Sequence, residues 1–465
     1  MILAACVLLL APLPLPAQST LSPDDALARE IFEELIEINT TDSSGDNTKA
    51  AEAMAARLRA AGFDEADVRV LVPAPRKGNL VARLRSPQPV GKPILLLAHL
   101  DVVEARREDW TFDPFTFTER DGYFYGRGTS DDKYMAAIFI ANLIRLKREK
   151  FQPSRDIIVA LTADEEGGPA NGVSWLLEHH RDLIDAEFCI NEGGDGQMKQ
   201  GRPLLNEVQA AEKVYQSFRL EARHPGGHSS QPPKDNAIYR LAAALGRLSR
   251  LDFPVQLNEV TRGFFERAAA LEAPEIARDM RALVANPADA EAAVRLSNAS
   301  PFFNALLRTT CVATMLQAGH AENALPQSAV ATVNCRMLPG SDPKNVQGTI
   351  ERAIADPKVA VSPIAVSRPS QPSPLRPDVM NAIQRITGEM WPGISAVPTM
   401  ATGATDGLYL RNAGLATYGV SGVFFEVDDN RAHGQDERVG TKEFYQGREF
   451  LYRLTKALAG LPESR

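Results

Sequence analysis

Five short clusters carry side chains that bind metals or move protons: His99 and Asp101 in AHLDVV, Asp131 in GRGTSDDK, Glu165 and Glu166 in ADEEGG, Glu192 in NEGG and, far downstream, His433 in RAHGQDER. Together they offer two imidazoles and several carboxylates, the mixed nitrogen and oxygen set that a water-activating pair of zinc ions requires. The chemistry this implies is metal-assisted hydrolysis. His99 and Asp101 are two apart at a strand end, so their side chains share a side, and Asp101 can take the ring proton that fixes the histidine tautomer. Adjacent glutamates at 165 and 166 allow a division of labour, one binding metal while the other moves the proton of the attacking water. Asp131 can bridge two cations, one on each oxygen. Taken singly, HxD also describes a structural histidine and an acidic pair a solvated loop end; the argument rests on all the clusters together.

The elements that must position these groups alternate in type. Ser22-Pro23-Asp24-Asp25 reads as a helix start, a second helix ends at Gly62, and apolar runs over 78–85, 93–100 and 156–162 have strand length, with a helix over 134–146. This is the pattern of an α/β sheet with helices on both faces, and the chemical residues fall where its strands stop, the edge at which open α/β sheets carry their sites. Gly126 and Gly128 allow a tight approach before Asp131. From Val214 the character changes to strand, turn, helix and a second strand pair over 309–319 and 328–338, an inserted α+β domain spanning 214–372. A proline-rich hinge over 361–377 leads back, so that 22–213 and 373–465 form one discontinuous domain and the insertion is a lid or oligomerisation unit.

With 465 residues and 44% hydrophobic content, more than one core is expected. The net charge of −8 leaves no surplus of Lys and Arg for nucleic-acid backbones. Residues 1–17, apolar and then proline-broken, read as a secretory signal peptide cut near Gln18 and too short to span a bilayer, which implies an exported, periplasmic or secreted protein. Cys189, Cys311 and Cys335 then remain, an odd number without paired spacing, and are expected to be buried small apolar side chains with no disulfide.

In order along the chain, AHLDVV, YGRGTSDDK, TADEEGG, NEGG, GGHSSQPPKDNAI, ENALPQSAVATVNCRMLPG and RAHGQDER resemble the motifs of the dinuclear zinc peptidase and amidohydrolase family that includes glutamate carboxypeptidase, aminoacylase, carnosinase-like dipeptidases and succinyl-diaminopimelate desuccinylase. The resemblance spans nearly the whole chain after the leader. It implies a mixed catalytic sheet flanked by helices and an inserted lid or dimerisation domain. It also implies two Zn2+ per subunit (Co2+ or Mn2+ being substitutes), bridged by Asp131, with His99 and Glu192 on one ion and Glu166 and His433 on the other. Glu165 would be the general base and later acid, and Asp101 would orient His99. His228 would polarise the scissile carbonyl, often from the partner subunit of a homodimer. Asn323, Arg336 and the loop containing Gly403 and Thr405 would contact substrate. Arginine suits a terminal carboxylate, which its planar fork grips with two hydrogen bonds.

One position departs from the pattern: Tyr134 stands where the family usually has glycine, which bears on the pocket wall more than on the metals. The resulting expectation is a zinc metallopeptidase that cuts peptide bonds near a free carboxylate, of carboxypeptidase or dipeptidase type. The alternatives are an N-acyl amino acid amidohydrolase and, more remotely, a non-catalytic metal- and peptide-binding protein.

Overall fold

In the computed structural model, residues 21–365 and 367–460 are described; the leader expected over 1–17 lies outside them. The first helix, Pro23–Glu37, starts where Ser22 caps it by accepting the Asp25 N–H, and Asp46 caps Asn47–Ala60 in the same way. Strands Asn79–Leu84, Ile157–Thr162, Ile94–His99, Phe188–Asn191 and Ala416–Gly419 lie side by side in a ten-stranded mixed sheet. The middle pairs are parallel, so their carboxyl ends share one edge.

Residue alternation divides this sheet between two cores. Ile94, Leu96, Val159 and Leu161 pack with the helices Pro23–Glu37 and Lys133–Arg148, whereas Leu95, Leu97, Ile158 and Ala160 face Gly172–His179. Each such buried aliphatic side chain contributes roughly 1.5–3 kcal/mol. A strand buried on both faces is therefore a continuous apolar run, as ILLLA and IIVAL are.

A second, four-stranded antiparallel sheet has the order Thr310–Ala318, Ser328–Met337, Val214–Arg223, Val359–Pro363, with the helices Ala237–Leu248 and Pro343–Ile354 over a separate core. One residue, Lys213, separates strand Arg202–Glu212 of the large sheet from Val214–Arg223 of the small one. The helices between 259 and 307 do not join the small core. Val260, Phe264 and Phe265 pack with Val397 and Met400 of the large sheet, so the segment 214–372 divides its packing between both.

Cys311 and Cys335 form a disulfide, correcting the expectation of three free cysteines. The two residues sit directly opposite each other on neighbouring strands, a register that their spacing along the chain does not disclose. Cys189 is free and buried, as expected. Among the described residues no helix is long and apolar enough to cross a membrane.

Candidate active site

The parallel strands deliver their last residues to one place. Ile94–His99 ends in His99, Ile157–Thr162 runs on into Glu165 and Glu166, and Phe188–Asn191 is followed by Glu192. Asp131 arrives from the loop before helix Lys133–Arg148. In that loop, Gly128 at φ +92° lies where a Cβ would meet the Lys133 side chain at 2.8 Å. His433 comes from the loop between Phe424–Glu426 and Arg438–Gly440.

These five side chains converge. His99 Nε2 lies 2.9 Å from Asp131 Oδ1 and 3.8 Å from Glu192 Oε2, while His433 Nε2 lies 3.0 Å from Asp131 Oδ2 and 2.8 Å from Glu166 Oε1. Each carboxylate oxygen of Asp131 thus faces a different imidazole. Asp101 fixes the surroundings: its backbone oxygen lies 2.9 Å from His99 Nδ1, and its carboxylate accepts the N–H groups of Glu165 and Glu166 at 3.1 and 3.0 Å. The glutamate pair is therefore held by its backbone, which leaves both side chains available.

The remote histidine is held by a residue the sequence reading did not single out. The buried Glu437 carboxylate accepts from Arg127 Nη1 at 2.5 Å, Ser130 N at 2.7 Å and Asp131 N at 3.2 Å, and Arg127 Nη2 donates to Gly434 O. Antiparallel pairing of Arg438–Gly440 with Tyr123–Tyr125 ties the same two loops a second time. Lys77 braces the glutamate loop by donating to Asp164 and Asp42, both at 2.5 Å, and Asp406 accepts from Asn171, whose amide also reaches Asp164 O.

Burial and close pairing shift the ionisation of these groups. Burial opposes ionisation of Asp131, yet hydrogen bonds from His433 and His99 bring its carboxyl well below the usual range. Hydrogen bonds to Asp131 and Glu166, against burial, push His433 up to about 10. Burial pushes Glu165 and Glu192 well above the normal carboxylate value, with the charge of His99 opposing.

Divalent ions fit this donor set. Ligand atoms of His99, Asp131 and Glu166 lie within 4.8 Å of one another, and so do those of His99, Asp132 and Glu192. Donors about 2.0–2.2 Å from one zinc ion sit roughly 3–3.6 Å apart, close to the histidine–carboxylate spacings here. Asp132, the second aspartate of SDDK, is an addition to the expected set; neither of its buried oxygens has a hydrogen-bond partner among the described residues. His433 alone offers an open side, its side chain 52% exposed against 2% for His99.

The other expected residues are distributed differently. His228 and Asn323 lie together on the exposed ribbon formed by Gly227–His228 and Ala324–Leu325, where Ser229 N donates to Asn323 O. Arg336 is on the small sheet, stacked over Tyr215 with its guanidinium 4.8 Å from the ring centroid. Among the described residues no hydrogen bond or ion pair joins these three to the cluster. Thr405 belongs to the large domain, donating its N–H and hydroxyl to Glu212 Oε2, and its methyl borders Gly193 beside Glu192; Gly403 is exposed in open space. Tyr134 is buried and donates to Asp195 at 3.0 Å, so the bulk at this position stiffens the loop after Glu192.

Residues 95–457 match the Peptidase family M20/M25/M40 model. The chain belongs to this family. Its M20 membership accords with the converging ligand set and makes it a metal-dependent hydrolase, among relatives that include carboxypeptidases and dipeptidases. The N-fatty-acyl-amino acid synthase/hydrolase PM20D1 of Homo sapiens is 29% identical over 381 residues, covering 80% of this chain and 75% of that protein. A probable carboxypeptidase S-like 2 of Dictyostelium discoideum is 31% identical, covering 78% and 71%. Among solved structures, an M20 family metallo-carboxypeptidase from Sulfolobus solfataricus superposes with TM-score 0.65 at 17% identity, covering 93% of this chain and 99% of that one. Human carnosine dipeptidase 1 gives 0.62 at 16%, covering 94% and 97%. The M20 fold, with its large mixed sheet, is therefore established.

Proposed function

We propose that this M20 protein holds two zinc ions and hydrolyses an amide bond near a free carboxylate, as a carboxypeptidase or dipeptidase does. The observation that carries the proposal is Asp131, whose two oxygens face His99 at 2.9 Å and His433 at 3.0 Å. Asp131 would hold both ions, His99 and Glu192 one, and Glu166 and His433 the other. When bound, such ions polarise the scissile carbonyl and acidify water. Glu165 takes the proton of the attacking water and returns it to the leaving nitrogen; its raised affinity for protons in a buried setting suits that transfer. Asp101 orients His99 and the glutamate peptide. Arg336 grips the substrate carboxylate.

The test is Glu165→Gln. This variant is expected to keep its metal and to lose at least about a hundredfold in kcat, the usual scale for a general base. A rate equal to wild type would refute the role, and retained binding without any wild-type turnover would favour the non-catalytic alternative.

A second reading, N-acyl amino acid hydrolysis, uses the same groups. It is favoured by the PM20D1 relatives, named as N-fatty-acyl-amino acid synthase/hydrolases. Two further proposals complete the picture. Export is supported by the leader-like residues 1–17 together with the Cys311–Cys335 disulfide, a bond that persists in oxidising compartments. Homodimerisation is supported by the edge strand Thr310–Ala318, where Val312, Met315 and Leu316 are 60%, 67% and 66% exposed.

A further inference from the structure

Glu212, the last residue of strand Arg202–Glu212, holds one loop at both of its ends. Its backbone is in register with Ala401, which ends strand Ala396–Ala401, and its carboxylate oxygen Oε2 accepts the N–H and the hydroxyl of Thr405 at 2.9 and 3.0 Å. Thr402, Gly403 and Ala404 are left between these anchors as an exposed tripeptide. The methyl carbon of Thr405 is 3.3 Å from where a Cβ on Gly193 would stand, next to the candidate ligand Glu192. On the other side Asp406 accepts from Asn171 at 2.6 Å, and the same amide donates to Asp164 O in the glutamate loop. The tripeptide is thus tied to two of the loops that carry candidate metal ligands.

The carboxylate that makes these ties is charged, enclosed and poorly compensated. Glu212 and Arg411 are 1% and 2% exposed, with Oε1 2.6 Å from Nη2. Yet Oε1 and the three guanidinium nitrogens have no aligned hydrogen-bond partner among the described residues. The guanidinium packs against Gly407, where a Cβ would meet Nη1 at 2.9 Å. Desolvation of two such charges offsets much of their attraction, and apolar residues of similar volume often replace a buried pair without loss of stability. Stability therefore does not account for the pair. What an apolar side chain could not do is receive both donors of Thr405.

We infer that Glu212 and Arg411 are positioning residues for substrate: Glu212 fixes the exposed backbone of Thr402, Gly403 and Ala404 beside the reacting centre, and Arg411 supplies the counter-charge that keeps a carboxylate there. The inference rests on the amide-hydrolase reading of the cluster. The role expected of Thr405 becomes an indirect one, since Glu212 takes both of its donors and the tripeptide meets the substrate.

The test combines turnover of Ala-Leu and N-acetyl-leucine by the zinc-loaded protein with chelator competition for zinc, thermal unfolding and hydrogen exchange of the 402–405 amides. Glu212→Leu orphans a buried guanidinium; it should lower the unfolding midpoint and raise KM at least about tenfold, with kcat changed far less and zinc affinity kept. Adding Arg411→Met removes the orphan, so the double variant should regain the midpoint while keeping the raised KM and the faster loop exchange. Thr405→Val spares the ion pair and should raise KM roughly three- to tenfold, Thr405→Ser should restore it, and Thr405→Val should add nothing in the double-variant background. A double variant whose KM and loop exchange match wild type would overturn the inference, as would a Thr405→Val effect that persists undiminished without Glu212. A double variant no more stable than Glu212→Leu would remove the role given to Arg411. If wild type cleaves neither compound, the hydrolase reading fails, and loop exchange still decides the positioning: faster exchange in the double variant supports it and unchanged exchange rejects it.

Discussion

Replacing Glu437 by glutamine tests whether a residue that touches neither metal nor substrate builds the site. The carboxylate is fully buried and holds Arg127, Ser130 and the Asp131 N–H, while Arg127 holds Gly434 next to His433. An amide keeps one acceptor but turns its other end, an NH2, toward Arg127 or Ser130. Removing one member of a buried ion pair typically costs 3–5 kcal/mol. Here Arg127 retains its bond to Gly434 O and its position over Trp110 at 5.0 Å, so about 3 kcal/mol is the reasonable scale. Loss of an outer partner of metal ligands commonly weakens metal binding 10- to 100-fold, or about 1.4–2.7 kcal/mol. Chelator competition should therefore show a zinc Kd raised in that range, and thermal unfolding a lowered midpoint. Adding Arg127→Met removes the orphaned guanidinium, so the double variant should regain part of the stability and none of the metal affinity. A folded Glu437→Gln protein with zinc affinity within twofold of wild type would refute the argument.

Two further outcomes follow from other parts of the molecule. Burial, reinforced by the charge of Asp195 and opposed by a hydrogen bond from Gln197, pushes Glu207 up to about 8 from an ordinary 4.5. The fold then binds a proton that the unfolded chain releases, so this group's contribution is present below pH about 4.5 and is lost as pH rises through about 8. Unfolding midpoints should show Glu207→Gln gaining on wild type between pH 5 and 8; a constant difference would contradict the assignment. In the second, Leu316→Glu on the exposed edge strand should give a monomer by sedimentation, with depressed turnover if His228 acts across the interface. A fully active monomer would exclude that arrangement, and an unchanged mass would exclude this edge as the contact.

Much of the site was legible because its residues end strands. A strand buried on both faces is a continuous apolar run, and the polar residues that end or follow it mark the sheet edge, as at His99 and at Asn191–Glu192. What sequence pattern could not supply was partnership. Apolar spacing indicates that the helices between 259 and 307 have a buried face, but not that this face meets the large sheet. The disulfide depends on a strand register, and Cys311 and Cys335 carry no sign of it. Glu437 stands in the RAHGQDER motif, yet its role depends on a buried Arg127 that is 310 residues away. Asp132 was hidden by its neighbour, since two adjacent aspartates invite a choice that only their burial and surroundings resolve.

The placement of the groups also separates chemistry from recognition. The candidate ligands, Glu165 and Asp101 are fixed to the edge of one sheet, braced by Glu437, Lys77 and Asp406. Arg336 belongs to the small sheet and His228 and Asn323 to the exposed ribbon beside it, and strand Val214–Arg223 of the small sheet follows the large-sheet strand Arg202–Glu212 through the single residue Lys213. At that junction Lys213 is buried and donates to Arg308 O at 2.7 Å, while Glu212 beside it holds the Thr405 loop. The strand that leads into the small sheet thus holds the Thr405 loop, while the hydrogen bonds that brace the candidate ligands come from Glu437, Lys77 and Asp406. Substitutions at Lys213 or Arg336 are accordingly expected to alter KM and leave metal affinity intact, whereas those at Glu437 act in the reverse order.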